Sequence, residues 1–163
     1  VAAGKEAVGR ATGVDELIVV KEAPGTSYED YTSVDVLAKV LDITNGEGCK
    51  AVIDGIGKNT VDISIGSLAR RGIFVSFGNA SGAAPAFPVL RLIGKSACVT
   101  RPKLLDYTTD RAELLKRSGE VFGWLQSGEL KVTVDKVFPL DEVVAGHQYL
   151  EAGKSTGKVL YKI

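Results

Sequence analysis

The chain has 163 residues, 45% hydrophobic and 25% charged, with Lys plus Arg and Asp plus Glu equal at 20 each. That length supports one globular core with little room for two, and the zero net charge argues against a partner held mainly by electrostatics, such as nucleic acid or an anionic membrane. No run approaches the ~20 apolar residues that a membrane span needs.

Residues 3–12 read as a helix that Gly13 stops, and "ELIVV" (16–20) as a short β-branched strand. The polar stretch 21–32 contains Pro24-Gly25 and reads as a surface loop. Ser33 is a suitable N-cap for a helix whose Val34, Leu37, Ala38 and Leu41 recur at i, i+3, i+4 and i+7, and "NGEG" (45–48) ends it. "KAVID" (50–54) is the next strand and "GIGKN" a turn. A helix is predicted from about Thr60 to Leu68, closed by Arg70, Arg71 and Gly72, with "IFVSF" (73–77) again a strand. A short helical piece (87–94) and the strand "ACVT" (97–100) follow. Thr109 or Asp110 caps a long helix to about Ser127 that Gly128 ends, with Trp124 on its apolar, core side. "KVTVDKVFPL" reads as a strand, "DEVVAGHQYLEAG" as a helix and "GKVLYKI" as a final strand, with a change of sub-structure near residue 130. Short apolar strands alternating with amphipathic helices predict an α/β fold: a parallel sheet covered on both faces.

Two successive strands end in glycine turns, Asp54-Gly55-Ile56-Gly57 and Phe77-Gly78-Asn79. Ligands in open α/β sheets bind beyond the carboxyl ends of the strands, and glycine lets main chain come close to a flat ring or a ribose. The pattern favours a nucleotide at that edge, while ordinary tight turns would give the same glycines. Cys49 and Cys98 read as buried small residues, and two isolated thiols without an export leader fit a reducing, cytoplasmic compartment. Two separated Cys and the single His147 do not make a four-ligand zinc spacing. His147 reads as a helix-surface or packing residue, with general acid as the alternative, and Asp54 as a polar group at a strand end.

The run "RRGIFVSFGNASG…FPVLRLIGKSACVTRPKLLDY" resembles the zeta-crystallin-like quinone oxidoreductases of the medium-chain dehydrogenase/reductase superfamily. The preceding "CKAVIDGIGKNTVDISIGSLARRG" is similar to their "D-x-V-G-x-x-T" strand, turn and helix, and "FPLDEVVAGHQYLEAGKSTGKVLYKI" to their closing segment. The resemblance implies an incomplete doubly wound, Rossmann-like sheet. Residues 1–128 would be part of an NADPH-binding domain, and residues 129–163 a strand-helix-strand return segment that joins an N-terminal catalytic domain. The first strand of the nucleotide fold, its glycine-rich turn and that barrel-like catalytic domain are expected before residue 1. Alone, the chain is expected to bind NADPH weakly and turn over negligibly.

By resemblance the activity is hydride transfer from NADPH to a quinone or another small electrophile. Phe77, Gly78 and Asn79 match the loop on the nicotinamide side. Val99, Thr100 and Arg101 match the strand end that holds the carboxamide, and Gly55 and Gly57 the turn beside the ribose. Lys5 matches a Lys that meets the 2′-phosphate of NADPH, a charge-assisted contact that discriminates against NADH. Where some relatives add a Tyr to that pocket the chain has Val20, followed by Lys21, and where relatives carry an Arg near the last Gly it has Gly153 beside Lys154. No catalytic residue is assigned. The resemblance also implies a C2 homodimer through the apolar 97–100 edge strand, which needs covering. The alternatives are an enoyl or alkenal reductase of the same superfamily, a non-catalytic crystallin-like or AU-rich RNA-binding protein, and a dimerisation module. The balanced charge speaks against the RNA reading.

Overall fold

A computed structural model describes residues 1–25 and 29–163. A 3-10 turn at Ala3–Lys5 leads into α1 (Glu6–Ala11). In chain order there follow β1 (Lys21–Glu22), β2 (Glu29–Asp30), α2 (Val36–Ile43), β3 (Cys49–Asp54), α3 (Val61–Gly66) and β4 (Leu68–Ser76). After a 3-10 segment at Val89–Lys95 come β5 (Cys98–Thr100), α4 (Arg111–Ser127), β6 (Val134–Pro139), α5 (Val143–Glu151) and β7 (Lys158–Lys162). The chain divides into two compact units, one of Val1–Asp30 with Tyr107–Ile163 and one of Tyr31–Asp106.

The second unit carries a three-stranded parallel sheet, in the order β3-β4-β5. Helix α2 starts two residues later than Ser33 predicts, because Asp35 is its N-cap and accepts a hydrogen bond from the Ala38 amide at 2.9 Å. The helix stops where Asn45 and Gly46 take left-handed φ of 52° and 81°. Helix α3 lies against β4, and the core beneath it is Val61, Ile65, Leu68 and Phe74, packed by Val52, Phe87, Leu92 and Ala97. Phe74 and Leu68 are fully buried, and each such side chain contributes about 1.5–3 kcal/mol of transfer free energy.

Contrary to the sequence reading, Arg70, Arg71 and Gly72 do not close the helix. Helix α3 ends at Gly66, where Lys95 Nζ donates to the Gly66 carbonyl at 2.8 Å and to the Leu68 carbonyl. All three residues lie inside β4. The pairing runs from Cys49 with Leu68 to Ala51 with Ile73, so two steps along β3 match five along β4. The surplus is absorbed by a turn of the strand at Arg71, with φ 61°. Cys49 is half-buried and Cys98 exposed, rather than both buried, since β5 is a three-residue strand at the sheet's edge.

In the first unit the predicted 16–20 strand forms no ladder among the described residues; Val20 makes a parallel bridge to Ala2, and Ile18 O accepts from the Val1 amino group at 2.9 Å. Hydrogen bonds from Ala3 N to Val20 O (3.0 Å) and from Val20 N to Val1 O (2.9 Å) hold it. The predicted 21–32 loop contains the antiparallel pair β1–β2, and its residues 26–28 lie outside the described residues. Helix α4 matches its reading at both ends: Asp110 accepts from the Glu113 amide at 2.8 Å, and Gly128 ends the helix at φ 79°. Trp124 is 46% exposed rather than core, because an apolar helical stripe marks a face for burial without supplying what buries it. Strands β6 and β7 are parallel, joined by α5, and Phe138 is buried beside the rings of Tyr149 and Tyr161.

Candidate functional site

The carboxyl ends of β3 and β4 are neighbours, with Asp54 opposite Ser76 in the parallel ladder. The two glycine turns therefore leave the same edge of the sheet. They interlock: the Asp54 carbonyl accepts from Phe77 N (2.9 Å) and Gly78 N (3.3 Å). Ala80 N donates to Gly55 O (3.1 Å), Ser81 N to Ile56 O (2.8 Å) and Lys58 N to Gly82 O (3.0 Å). The Ser81 hydroxyl donates to Ile56 O (2.8 Å) and accepts from Asn59 N (3.0 Å).

This packing supplies a reason for the glycines that the sequence did not show. A Cβ on Gly78 would lie 2.8 Å from Gly55 Cα, and one on Gly57 would lie 2.6 Å from the Gly82 carbonyl oxygen. A Cβ on Gly55 would lie 2.8 Å from the tip of the Phe77 ring. All three directions point into the adjacent turn, and at Gly57 the φ of 89° adds its own demand for glycine. The bare main chain first serves the fit of one turn on the other.

Asp54 governs this edge, although the sequence marked it only as a polar strand end. Its carboxylate is buried at 5% exposure. Oδ1 accepts from Ile56 N (2.6 Å) and Gly57 N (3.1 Å), and Oδ2 from Thr60 Oγ1 and Ser64 Oγ, both at 2.7 Å. Burial pushes the carboxyl's pKa up, but the Ser64 and Thr60 hydroxyls and the two amides outweigh it and hold it below the ordinary carboxylate value. The available signal was the spacing: an Asp two and three residues ahead of the amides it caps, with Thr60 and Ser64 four residues apart at the start of α3.

Beside the interlocked turns lies an open cleft of about 580 Å³ lined by Phe77, Arg101, Pro102, Lys103, Leu104 and Asp106. Val99 and Thr100 pair with Phe74 and Val75 and carry the chain to it. Arg101 Nη1 donates to Ser76 O (2.9 Å), Ser76 Oγ (3.2 Å) and Gly78 O (3.1 Å), so this side chain ties the end of β5 to the second turn. The Phe77 ring is exposed. Gly55, Gly57, Phe77, Gly78, Asn79, Val99, Thr100 and Arg101 thus all fall at the carboxyl edge of one sheet. Lys5 lies in the first unit, at the end of the 3-10 turn before α1. His147 is an exposed residue of α5 stacked on the Tyr161 ring, with centroids 5.9 Å apart.

A parallel sheet flanked by helices, with glycine turns at successive strand ends and no closed barrel among the described residues, defines a Rossmann-like α/β domain. The chain belongs to the zinc-binding dehydrogenase family, whose profile matches residues 13–160. It is 31% identical over 160 residues to a quinone oxidoreductase of Pseudomonas aeruginosa, covering 98% of this chain and 49% of that protein. It is 35% identical over 133 residues to a Burkholderia 2-haloacrylate reductase, covering 80% of this chain and 40% of that protein. The Escherichia coli quinone oxidoreductase solved with NADPH superposes with a TM-score of 0.77 at 32% identity, over 99% of this chain and 54% of that one. The chain spans about half the length of the curated relatives it matches.

The residues here do not fit the zinc of the family's name. Among the described residues no group of three or more His, Cys, Asp or Glu side chains is placed to hold a metal ion. No helix among them is long and apolar enough to cross a membrane.

Proposed function

We propose that this chain is the cofactor-binding part of an NADPH-dependent oxidoreductase that reduces quinones. The observation that carries the reading is the convergence of eight candidate residues on one sheet edge beside a cleft of about 580 Å³, within the range of small-molecule sites. The P. aeruginosa and E. coli quinone oxidoreductases, the latter solved with NADPH, support it from outside the chain. When bound, NADPH supplies a hydride to an electrophilic acceptor. In this assignment Phe77, Gly78 and Asn79 line its nicotinamide side, Val99, Thr100 and Arg101 face the carboxamide through the end of β5, and Gly55 and Gly57 flank the ribose. Lys5 is assigned to the 2′-phosphate. The chain's own contribution is to bind and orient: the interlocked turns present a fixed surface, and Arg101 holds the second turn to β5.

Residues 1–128 are assigned to the cofactor domain and residues 129–163 to a return segment. We also propose a homodimer through β5. The position of that strand at the sheet's edge and the exposure of Val89, Leu90, Ile93, Leu104 and Leu105 in the same unit support it. A reducing, cytoplasmic setting accords with two free cysteines, one of them exposed. The likeness to 2-haloacrylate reductase supports a second reading, in which the acceptor is an activated alkene.

Fluorescence titration of the full-length protein that contains this chain, with NADPH and with NADH as control, tests the cofactor assignment. Saturation by NADPH at lower concentration than NADH is expected, and no saturation by either refutes it. Rates of NADPH oxidation with 1,2-naphthoquinone and with an enal then separate the two acceptors.

A further inference from the structure

We propose that Asp54 is a positioning residue that sets both glycine turns at once: its carboxylate fixes residues 55–57 and its carbonyl fixes residues 77–78. The proposal deepens the NADPH reading and rests on it for its binding arm.

Six hydrogen bonds converge on this one residue. Four reach the carboxylate, from Ile56 N, Gly57 N, Thr60 Oγ1 and Ser64 Oγ, so each oxygen accepts two. Two reach the backbone carbonyl, from Phe77 N and Gly78 N. The first turn in turn supports the second through Gly55 O and Ile56 O, which accept from Ala80 N and Ser81 N. Releasing the carboxylate frees the Ile56 and Gly57 amides, shifts the carbonyls of residues 55 and 56, and passes the displacement to residues 77–81. The Asp54 carboxylate is bonded by Thr60, the N-cap residue of α3, and by Ser64 within that helix, and it acts on the turns through main chain.

The chemistry also predicts which replacement is tolerated. Asparagine keeps an acceptor for the two amides. Its amino group then meets Thr60 and Ser64, whose hydroxyls can rotate to accept, and Thr60 Oγ1 already has the Gly57 carbonyl as a second partner at 3.4 Å. Alanine keeps neither arrangement.

The test is made on the full-length protein that contains this chain, with Asp54→Ala and Asp54→Asn. Amide hydrogen exchange is read residue by residue, and NADPH affinity by fluorescence titration. In Asp54→Ala, protection falls at Ile56 and Gly57 and also at Phe77 and Gly78, although the carbonyl those last two bond is still present. The NADPH Kd rises about tenfold or more, a loss of about 1.4 kcal/mol or more of binding free energy. Asp54→Asn restores most of both. Exchange that quickens at 56–57 and leaves 77–78 untouched overturns the proposal. So does an alanine variant that binds NADPH like the wild type, or an asparagine variant no better than alanine. If Asp54→Ala does not fold, Asp54→Asn alone decides, because any loss at 56–57 must be matched at 77–78. If the wild type binds no NADPH, the functional reading fails, while the exchange measurement still decides whether one residue holds both turns.

Discussion

Gly78→Ala tests the interlock most directly. The new Cβ would lie 2.8 Å from Gly55 Cα and 2.9 Å from the Gly55 carbonyl carbon. Ordinary carbon–carbon contact begins near 3.5 Å, so the turns must part by about half an ångström or more. Both partners are main chain, with no side chain that can swing aside. Overpacking of this kind costs about 1–3 kcal/mol. Separation also stretches the bonds from Phe77 N and Gly78 N to Asp54 O and from Ala80 N to Gly55 O, each contributing about 1 kcal/mol. The expected loss is therefore about 2–4 kcal/mol, with relief by local distortion keeping it below a full sum. Urea denaturation followed by circular dichroism reads it as a lower midpoint at unchanged slope. The matched control is Gly94→Ala, where an added Cβ meets nothing within 4 Å and a change within about 0.5 kcal/mol is expected. A Gly78→Ala midpoint equal to that of Gly94→Ala would refute the interlocked geometry.

Three further outcomes are expected. The carboxyl of Asp54 titrates below its ordinary value when folded, so its contribution is complete above about pH 4 and is lost as pH falls through the folded pKa; the acid limb of wild-type stability should be steeper than that of Asp54→Asn in parallel urea titrations. Gly119 and Gly123 sit inside α4 with open space where a Cβ would go, so alanine at either should raise thermal stability by about 0.5–1 kcal/mol, and a loss at both would show that the sites are closed. Tyr149 OH donates to Asp135 at 2.8 Å and, with Thr156, holds that carboxyl below its usual value; in Tyr149→Phe the Asp135 pKa measured by NMR should move up, and an unchanged value would remove the bond.

What the sequence disclosed follows from what each signal encodes. Helix α4 was legible at both ends because Asp110 and Gly128 act on their own neighbours, and β6 and β7 stood out by local apolar pattern. "ELIVV" reads as a strand from its β-branched residues, but a strand is defined by its partner, and among the described residues the pairing is a single bridge from Val20 to Ala2. Arg70–Gly72 looked like a helix end because charge and glycine usually mark one, whereas the register of β4 against β3 decides that stretch and no local window records it. At the edge, the two glycine turns were visible, while Asp54 stood out only as a polar strand end. Its four carboxylate partners are two amides of the turn and the hydroxyls of Thr60 and Ser64, six and ten residues on, and the folded chain shows them converging.

Since each turn occupies the space where the other's side chain would be, neither can be redrawn alone. An insertion or a bulkier residue in one demands a compensating change in the other, so this pair should vary as a single block. Any molecule that docks here meets a surface already set in shape, and little of its binding free energy goes into ordering the protein.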